Sequence, residues 1–509
     1  MRSQLRQSSI TTLVFALLLL FSANLVAQDV ASFEKRVTVK KLKNGLTVLL
    51  MERPEAPVFS FHILVDAGSA QDPKGGSGLA HMFEHMAFKG TPVIGTTNWP
   101  KEKALLDQLE KAYHAYDVEK RKLVGRDDAM MKTLEAKWRA LQDQAEAFIA
   151  QDAFSEIVEN AGGVGLNAST GSDETRYYYS LPANQTELWA YLESERFIRP
   201  VYRQFYKERD VVLEERRMRI DSSPIGRLVE QLLAASFTAH PYQVSGVGWH
   251  SEISSVTATQ AEEFFKTYYR PSNLVLAVVG DIKVAEMMPL IERYFERIPA
   301  GPHPLELTTI EPEQNNERTV VLREASQPWY VECYKRPGYT DPDDAVYDAI
   351  SSILSAGRTS RMYRSLVRDK KIALQAGGQS GFPGNKYPNL FLFFAIPIQG
   401  KTPADLQTAI REEIEKLKNE DVSDEELNRV KTNAKAGLLR GLANNQGLAI
   451  QLATAQMRYG DWRGIFREVD RIDKVTKADI RRVANKTFVA NKRTIGIIEN
   501  VTPAAKGGK

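Results

Sequence analysis

Short runs rich in β-branched and aromatic residues, such as Leu46-Thr47-Val48-Leu49-Leu50 and Ser60-Phe61-His62-Ile63-Leu64-Val65, recur between segments whose apolar positions return every three or four residues. The first pattern predicts strands and the second amphipathic helices. The chain therefore reads as α+β: two related domains, each a largely antiparallel sheet covered by helices. From Ile298 to Thr319 the periodicity lapses into a proline-rich polar stretch. A linker is expected there, at about 301–318, between an N-terminal domain 28–300 and a C-terminal domain 319–500, with a tail over 501–509. Residues 256–281 (VTATQAEEFFKTYYRPSNLVLAVVGD) and 475–500 (VTKADIRRVANKTFVANKRTIGIIEN) share one order, Val-Thr, amphipathic helix, strand. Asp72-Pro73 and Asp341-Pro342 mark corresponding points near the start of each half. Three features in the same order predict a duplication.

One segment interrupts the first half. Leu105, Leu109, Ala112, Tyr113 and Tyr116 form one helical stripe, and Leu134, Trp138, Leu141, Ala145 and Phe148 form another after a break at Gly125-Arg126-Asp127-Asp128. This predicts a helical-hairpin insert at about 100–152. Its many charges make either a solvated face or a grip on a partner or substrate.

With 43% hydrophobic and 26% charged residues, the chain is neither disordered, collagen-like nor a disulfide scaffold. Lys and Arg number 67 against 64 Asp and Glu, so no net field favours DNA, RNA or an anionic membrane. Arg2 and Arg6 precede the apolar run Leu13 to Phe21, and Ala27 closes a stretch of small residues. That pattern predicts a signal peptide over 1–27, since the run is shorter than the roughly 20 residues a bilayer requires. The expected location is periplasmic or secreted, without stable membrane insertion. Cys333, the sole cysteine, lies in the apolar run 329–334 (WYVECY) and reads as a buried strand thiol.

The informative chemistry lies in Gly78-Leu-Ala-His81-Met-Phe-Glu84-His85-Met-Ala-Phe88. On a helix, Leu79, Met82, Phe83 and Met86 form a core stripe, and His81, Glu84, His85 and Phe88 fall on the opposite face. Two histidines four residues apart can offer ring nitrogens to one ion, with a carboxylate beside it as a base. From 7 histidines and 64 acidic residues, chance supplies such a motif about 0.01 times per chain, so coincidence is a poor account. Two imidazoles and a carboxylate suit zinc best, with manganese, iron or cobalt as alternatives. The preceding Gly75-Gly76-Ser77-Gly78 lacks the Gly-Lys-Ser/Thr of a phosphate loop and reads as a flexible helix start.

A third ligand is sought in Tyr206-Lys-Glu208-Arg-Asp-Val211-Val212-Leu-Glu214-Glu215-Arg-Arg-Met218. Glu215 points between Val211, Val212 and Met218, where a carboxylate must be paired, protonated or metal-bound, whereas Glu214 lies outside that sector. Leu213 and Ile220 make the other face partly apolar too. Glu208, two turns earlier, would either orient a ligand or form a surface salt bridge.

These residues resemble the pitrilysin, insulysin and mitochondrial processing peptidase family of inverted-motif zinc peptidases, over essentially the whole chain after residue 27. His81-x-x-Glu84-His85 followed by Phe88-Lys89-Gly90-Thr91 is similar to the family signature, and Glu208 to Glu215 to its third-ligand helix. The resemblance implies one zinc per chain on His81, His85 and Glu215, Glu84 as general base, and Glu208 behind the ligands. It implies hydrolysis of peptides or small unfolded proteins by an endopeptidase. The segment Gly165-Leu166-Asn167-Ala168-Ser169-Thr170 resembles the substrate-binding edge strand, which marks Asn167, Ala168 and Ser169; an ordinary hairpin is the plainer alternative. In the second domain Arg368 matches an assisting arginine, but Gln375 stands where a tyrosine is usual. Ile350, Ile353 and Leu354 stand opposite His81, Glu84 and His85. The resemblance thus implies a homodimer or a heterodimer with a related subunit. The alternative is a non-catalytic peptide-binding or scaffold subunit. His62, His114, His240, His250 and His303 are expected to stand apart from the metal.

Overall fold

The computed structural model describes residues 35–501, so the expected signal peptide and the tail beyond Val501 lie outside the described residues. No helix among the described residues is long and apolar enough to cross a membrane. Strands β1 (Val37–Lys41), β2 (Thr47–Glu52), β3 (Val58–Val65), β4 (Val164–Thr170), β5 (Thr175–Pro182) and β6 (Leu274–Gly280) form the first sheet, in the order β1-β2-β6-β3-β5-β4. Strands β7 (Arg318–Glu324), β8 (Trp329–Arg336), β9 (Ala373–Phe382), β10 (Asn389–Pro397) and β11 (Arg493–Asn500) form the second, in the order β7-β11-β8-β10-β9. β6 runs parallel to β2, and β11 parallel to β7; every other pairing is antiparallel. Apart from the extra edge strand β1, the two sheets share one topology.

The helices that position the site are α1 (Leu79–Met86), α2 (Trp99–Lys120), α3 (Asp128–Glu146), α4 (Thr186–Ile198), α5 (Phe205–Arg216), α6 (Pro224–Ser236), α7 (Ala258–Tyr268), α8 (Val284–Phe295), α9 (Asp344–Ser355), α10 (Asn445–Tyr459) and α11 (Lys477–Thr487). The repeat seen in the sequence is structural. Thr257 and Gln260 close a capping box at the start of α7, as Thr476 and Asp479 do for α11. Each helix passes through a short 3₁₀ turn, Pro271–Asn273 or Ala490–Lys492, into the sheet. α9, the counterpart of α1, carries Ile350, Ile353 and Leu354 fully buried in the second core.

Period-two alternation explains how both faces of each sheet are used. Val48, Leu50, Phe61 and Ile63 face a core built with Trp189 of α4 and Ile291 and Phe295 of α8. Leu49, Met51, Leu64, Ala277 and Val279 face the other way, onto Leu448, Leu452 and Ala453 of α10. A helix from late in the chain therefore covers the back of the first sheet. The exchange is reciprocal: Leu228, Leu232 and Leu233 of α6 cover Val331, Cys333, Leu392 and Ile498 on the second sheet. Cys333 is a buried free thiol whose desolvation raises its pKa.

The insert is a two-helix hairpin, α2 against α3. Its root is built into the protein. Tyr113 of α2 stacks on Tyr206 of α5 at 3.8 Å between ring centroids, and Arg209 donates to the Tyr113 hydroxyl. Arg203 donates to the buried Glu102 carboxylate at 2.7 Å. At the tip, Leu123 and Val124 are 100% and 90% exposed, so nothing packs on them. Tyr113→Ala is expected to lower the free energy of unfolding by about 3–5 kcal/mol in urea titrations. Val124→Ser should change it by no more than about 0.5 kcal/mol.

Candidate metal centre and cleft

The start of α1 is held by backbone contact. Gly78 has φ +89°, and a Cβ there would lie 2.5 Å from the Val247 carbonyl oxygen. Asp72 accepts hydrogen bonds from the backbone N–H groups of Gly78 at 2.7 Å and Ala80 at 2.8 Å, satisfying donors that a helix start leaves open. Burial pushes the Asp72 carboxyl up to about 7 against the pull of those two bonds. The glycine-rich start is thus a close backbone contact at Gly78, while Gly75 alone faces open space. Sequence reasoning used Asp72 only to mark the repeat and missed its capping; an Asp six residues before a glycine-led helix is the signal that was available.

Leu79, Met82, Phe83 and Met86 are buried as the helical stripe requires, and His81, Glu84 and His85 turn the other way. Phe88 departs from the expected face. The helix ends at Met86, so the wheel no longer applies, and the ring packs against Phe154 and Tyr177 with Arg196 over it.

α5 lies against α1 and brings Glu215 to the histidines. Nε2 of His81 and Nε2 of His85 are each 3.6 Å from the same carboxylate oxygen, Oε2 of Glu215. That is too long for hydrogen bonds. It is close to the edge of a tetrahedron, about 3.3 Å, whose corners sit at zinc–nitrogen or zinc–oxygen bonding distance from its centre. All three atoms lie within 4.8 Å of one another, so two imidazoles and a carboxylate converge on one point and fit a divalent cation. The other oxygen of Glu215 pairs with Arg219 at 2.6 Å, which turns Oε2 toward the rings. Glu214 points away and pairs with Arg217.

Glu208 combines both roles considered for it. Its Oε2 lies 3.4 Å from His85 Nδ1, and its Oε1 forms an ion pair with Lys89. A proton on Nδ1 facing Glu208 leaves the Nε2 lone pair toward the point of convergence. Burial opposes ionisation of Glu208, but His85 and Lys89 outweigh it and lower its pKa. Burial likewise lowers the pKa of His85, and here Glu208, Glu215 and Glu84 more than reverse it. His81 lacks such a partner: its Nδ1 is buried without a hydrogen bond, and burial pushes the imidazole down to about 4 despite Glu215. Burial raises the Glu84 pKa even though Thr170 at the end of β4 hydrogen-bonds its carboxylate. Sequence reasoning missed Arg219, Lys89 and Thr170 as well, because each acts by tertiary proximity.

These groups open into a cleft of about 1020 Å³, lined by His81, Glu84, His85, Glu215 and, across from them, Asn167, Ala168 and Ser169. β4 is the edge of its sheet, hydrogen-bonded to β5 alone. Asn167 and Ser169 are exposed along it and Ala168 is buried. Arg368 is not brought to the cleft: it is paired with Asp369 at 2.6 Å on the surface of the second half. His62 and His240 are buried elsewhere, their imidazoles pushed down by desolvation to about 3 and about 4.

Residues 47–114, which hold the motif, match the family described as Insulinase (Peptidase family M16), and residues 255–434 match the Peptidase M16 inactive domain. The chain belongs to peptidase family M16. Glu208 and Glu215 fall between the two matched stretches of this M16 chain. It is 28% identical to the zinc protease PqqE of Helicobacter pylori over 94% of its own length and 95% of the relative's. It is 24% identical to a probable mitochondrial-processing peptidase subunit beta of Arabidopsis thaliana, over 89% and 76% of the two chains. Its fold superposes on the crystal structure of a protease from Helicobacter pylori with a TM-score of 0.74 and 26% identity, covering 91% and 99% of the two chains.

Because Gly78 combines a positive φ with a carbonyl 2.5 Å from any Cβ, Gly78→Ala should destabilise the protein by about 2 kcal/mol or more. Gly75→Ala, with φ +82° and nothing within 4 Å, should cost only about 1 kcal/mol. Thermal melts of the two variants compare them directly.

Proposed function

We propose that the chain is a zinc-dependent endopeptidase that hydrolyses peptides or small unfolded proteins. The observation that carries this reading is the convergence of His81, His85 and Glu215 on one point, with the Glu84 carboxylate beside it and an open sheet edge across the cleft. Zinc held by those three residues, one per chain, supplies Lewis acidity toward water and the scissile carbonyl. The protein's own groups do the rest. Glu84 takes the proton of the attacking water on its carboxylate and delivers it to the leaving amine. Its partly desolvated setting, which favours the protonated form, suits a group that must hold that proton between the two steps. Glu208 keeps the His85 ring in the tautomer that presents Nε2, and Arg219 orients Glu215.

An extended peptide would add to β4 as a further strand, so that Asn167, Ala168 and Ser169 grip backbone with little demand on side chains. The second half lacks a counterpart of the metal set, with Ile350, Ile353 and Leu354 in its place. We infer that the working enzyme is a homodimer or a heterodimer with a related subunit, in which a partner contributes to enclosing the substrate. The beginning of the sequence points to export, to the periplasm or outside the cell. An intact base next to a complete ligand set favours an enzyme over a subunit that only binds.

Glu84→Gln is expected to retain about one zinc per chain by elemental analysis while losing about 10³-fold or more in turnover of a quenched fluorescent peptide. His81→Ala and Glu215→Ala should lose zinc and activity together, and a fully active Glu84→Gln protein would overturn the assignment. Glu208→Gln should weaken zinc affinity by about 10–100-fold in competition with a chromophoric chelator. Chelator-treated wild-type protein should regain cleavage when zinc is returned.

A further inference from the structure

A second cavity, of about 760 Å³, lies on the Phe83 side of α1 and shares no lining residue with the cleft. Leu106 of the insert, Tyr202 between α4 and α5, Tyr206 of α5 and Phe265 of α7 are among its walls. Packed interiors leave few voids larger than a water molecule, and this volume is in the range that holds a small organic ligand. Its polar groups are not balanced. The Tyr202 hydroxyl is buried without a hydrogen-bond partner, although a lost hydrogen bond at a buried group is costly. At the rim Lys103 is paired with Asp107, Lys266 with Glu262, and Arg199 with Glu195. Glu110 is engaged by the Tyr206 hydroxyl at 2.6 Å and by Thr259. That leaves Arg270, which also lines the cavity, with no carboxylate partner among the described residues.

We propose that this cavity is a binding site for an apolar monoanion. A ring system or hydrocarbon chain fills the apolar chamber, and its carboxylate or sulfonate accepts from the Tyr202 hydroxyl and neutralises Arg270. One wall exists only because of the insert, since Leu106 and Leu109 belong to α2. The opposite wall is a single layer of rings. Tyr202, Phe265 and Tyr269 line the cavity and also pack on Phe83, the residue before Glu84, at 6.3, 5.2 and 4.3 Å between centroids. The proposal does not depend on the peptidase reading, and its test uses no turnover.

The probe is 8-anilinonaphthalene-1-sulfonate, a fused-ring monoanion, titrated into the full chain and followed by dye fluorescence and by quenching of Trp99, which lines the cavity. One saturable site per chain is expected. Leu106→Trp and Ala258→Phe, which fill the chamber from two different helices, should each weaken binding about ten-fold or more, with melting temperatures recorded to confirm that each variant is folded. Tyr202→Phe and Arg270→Gln should each weaken it about three-fold or more. The neutral N-phenyl-1-naphthylamine should bind more weakly than the sulfonate. The proposal is overturned if no saturable binding occurs, if folded filling variants bind as tightly as the parent chain, or if the neutral dye binds equally well.

Discussion

Two imidazole nitrogens and one carboxylate oxygen are brought to a common point by α1 and α5, and each is aimed there by a neighbour outside the set or by packing alone. Glu208 faces the far nitrogen of His85, Arg219 holds the far oxygen of Glu215, and His81 is fixed by burial. Such an arrangement is costly while the groups have no common partner, because three polar heads are withdrawn from water to face one another. The surrounding structure must therefore hold α1 and α5 together by other means.

Those means are apolar and aromatic. Phe83 on the back of α1 packs into the rings of Phe265 and Tyr269, and Tyr206 on α5 stacks on Tyr113 of the insert. The ion pair of Arg203 with Glu102 ties the same insert to the chain just before α5. An interruption that lengthens the path from His85 to Glu215 thus contributes part of the support for Glu215. The second cavity lies in this same layer, where the root of the insert meets α4, α5 and α7.

The two halves share a topology but not a chemistry. α9 turns Ile350, Ile353 and Leu354 into its own core where α1 turns two histidines and a glutamate into a cleft. The halves also exchange cover, α6 lying on the second sheet and α10 on the first. Because each sheet needs a helix from the other half to bury its outer face, neither core is complete without the other half of the chain.

Much of this was legible along the chain. The alternation in Val48 and Leu50 against Leu49 and Met51, the capping Thr257 and Thr476, the stripe of α1 and the His81, Glu84, His85 face are all local patterns, set by the geometry of one strand or one helix. Phe88 was misplaced because a wheel extends only as far as the helix, and Arg368 because a likeness in one short segment says nothing of what stands near it in space. An apolar stripe states that a helix must be buried but not by which sheet, so the exchange of α6 and α10 had no sequence signal. The direction of Glu215 was ambiguous for the same reason, since α5 is partly apolar on both faces. By itself the sequence determined which side chains each element presents, because period and capping act over a few residues. Only the tertiary structure decided which of those side chains meet, because contacts between residues far apart in the chain depend on how whole faces pack.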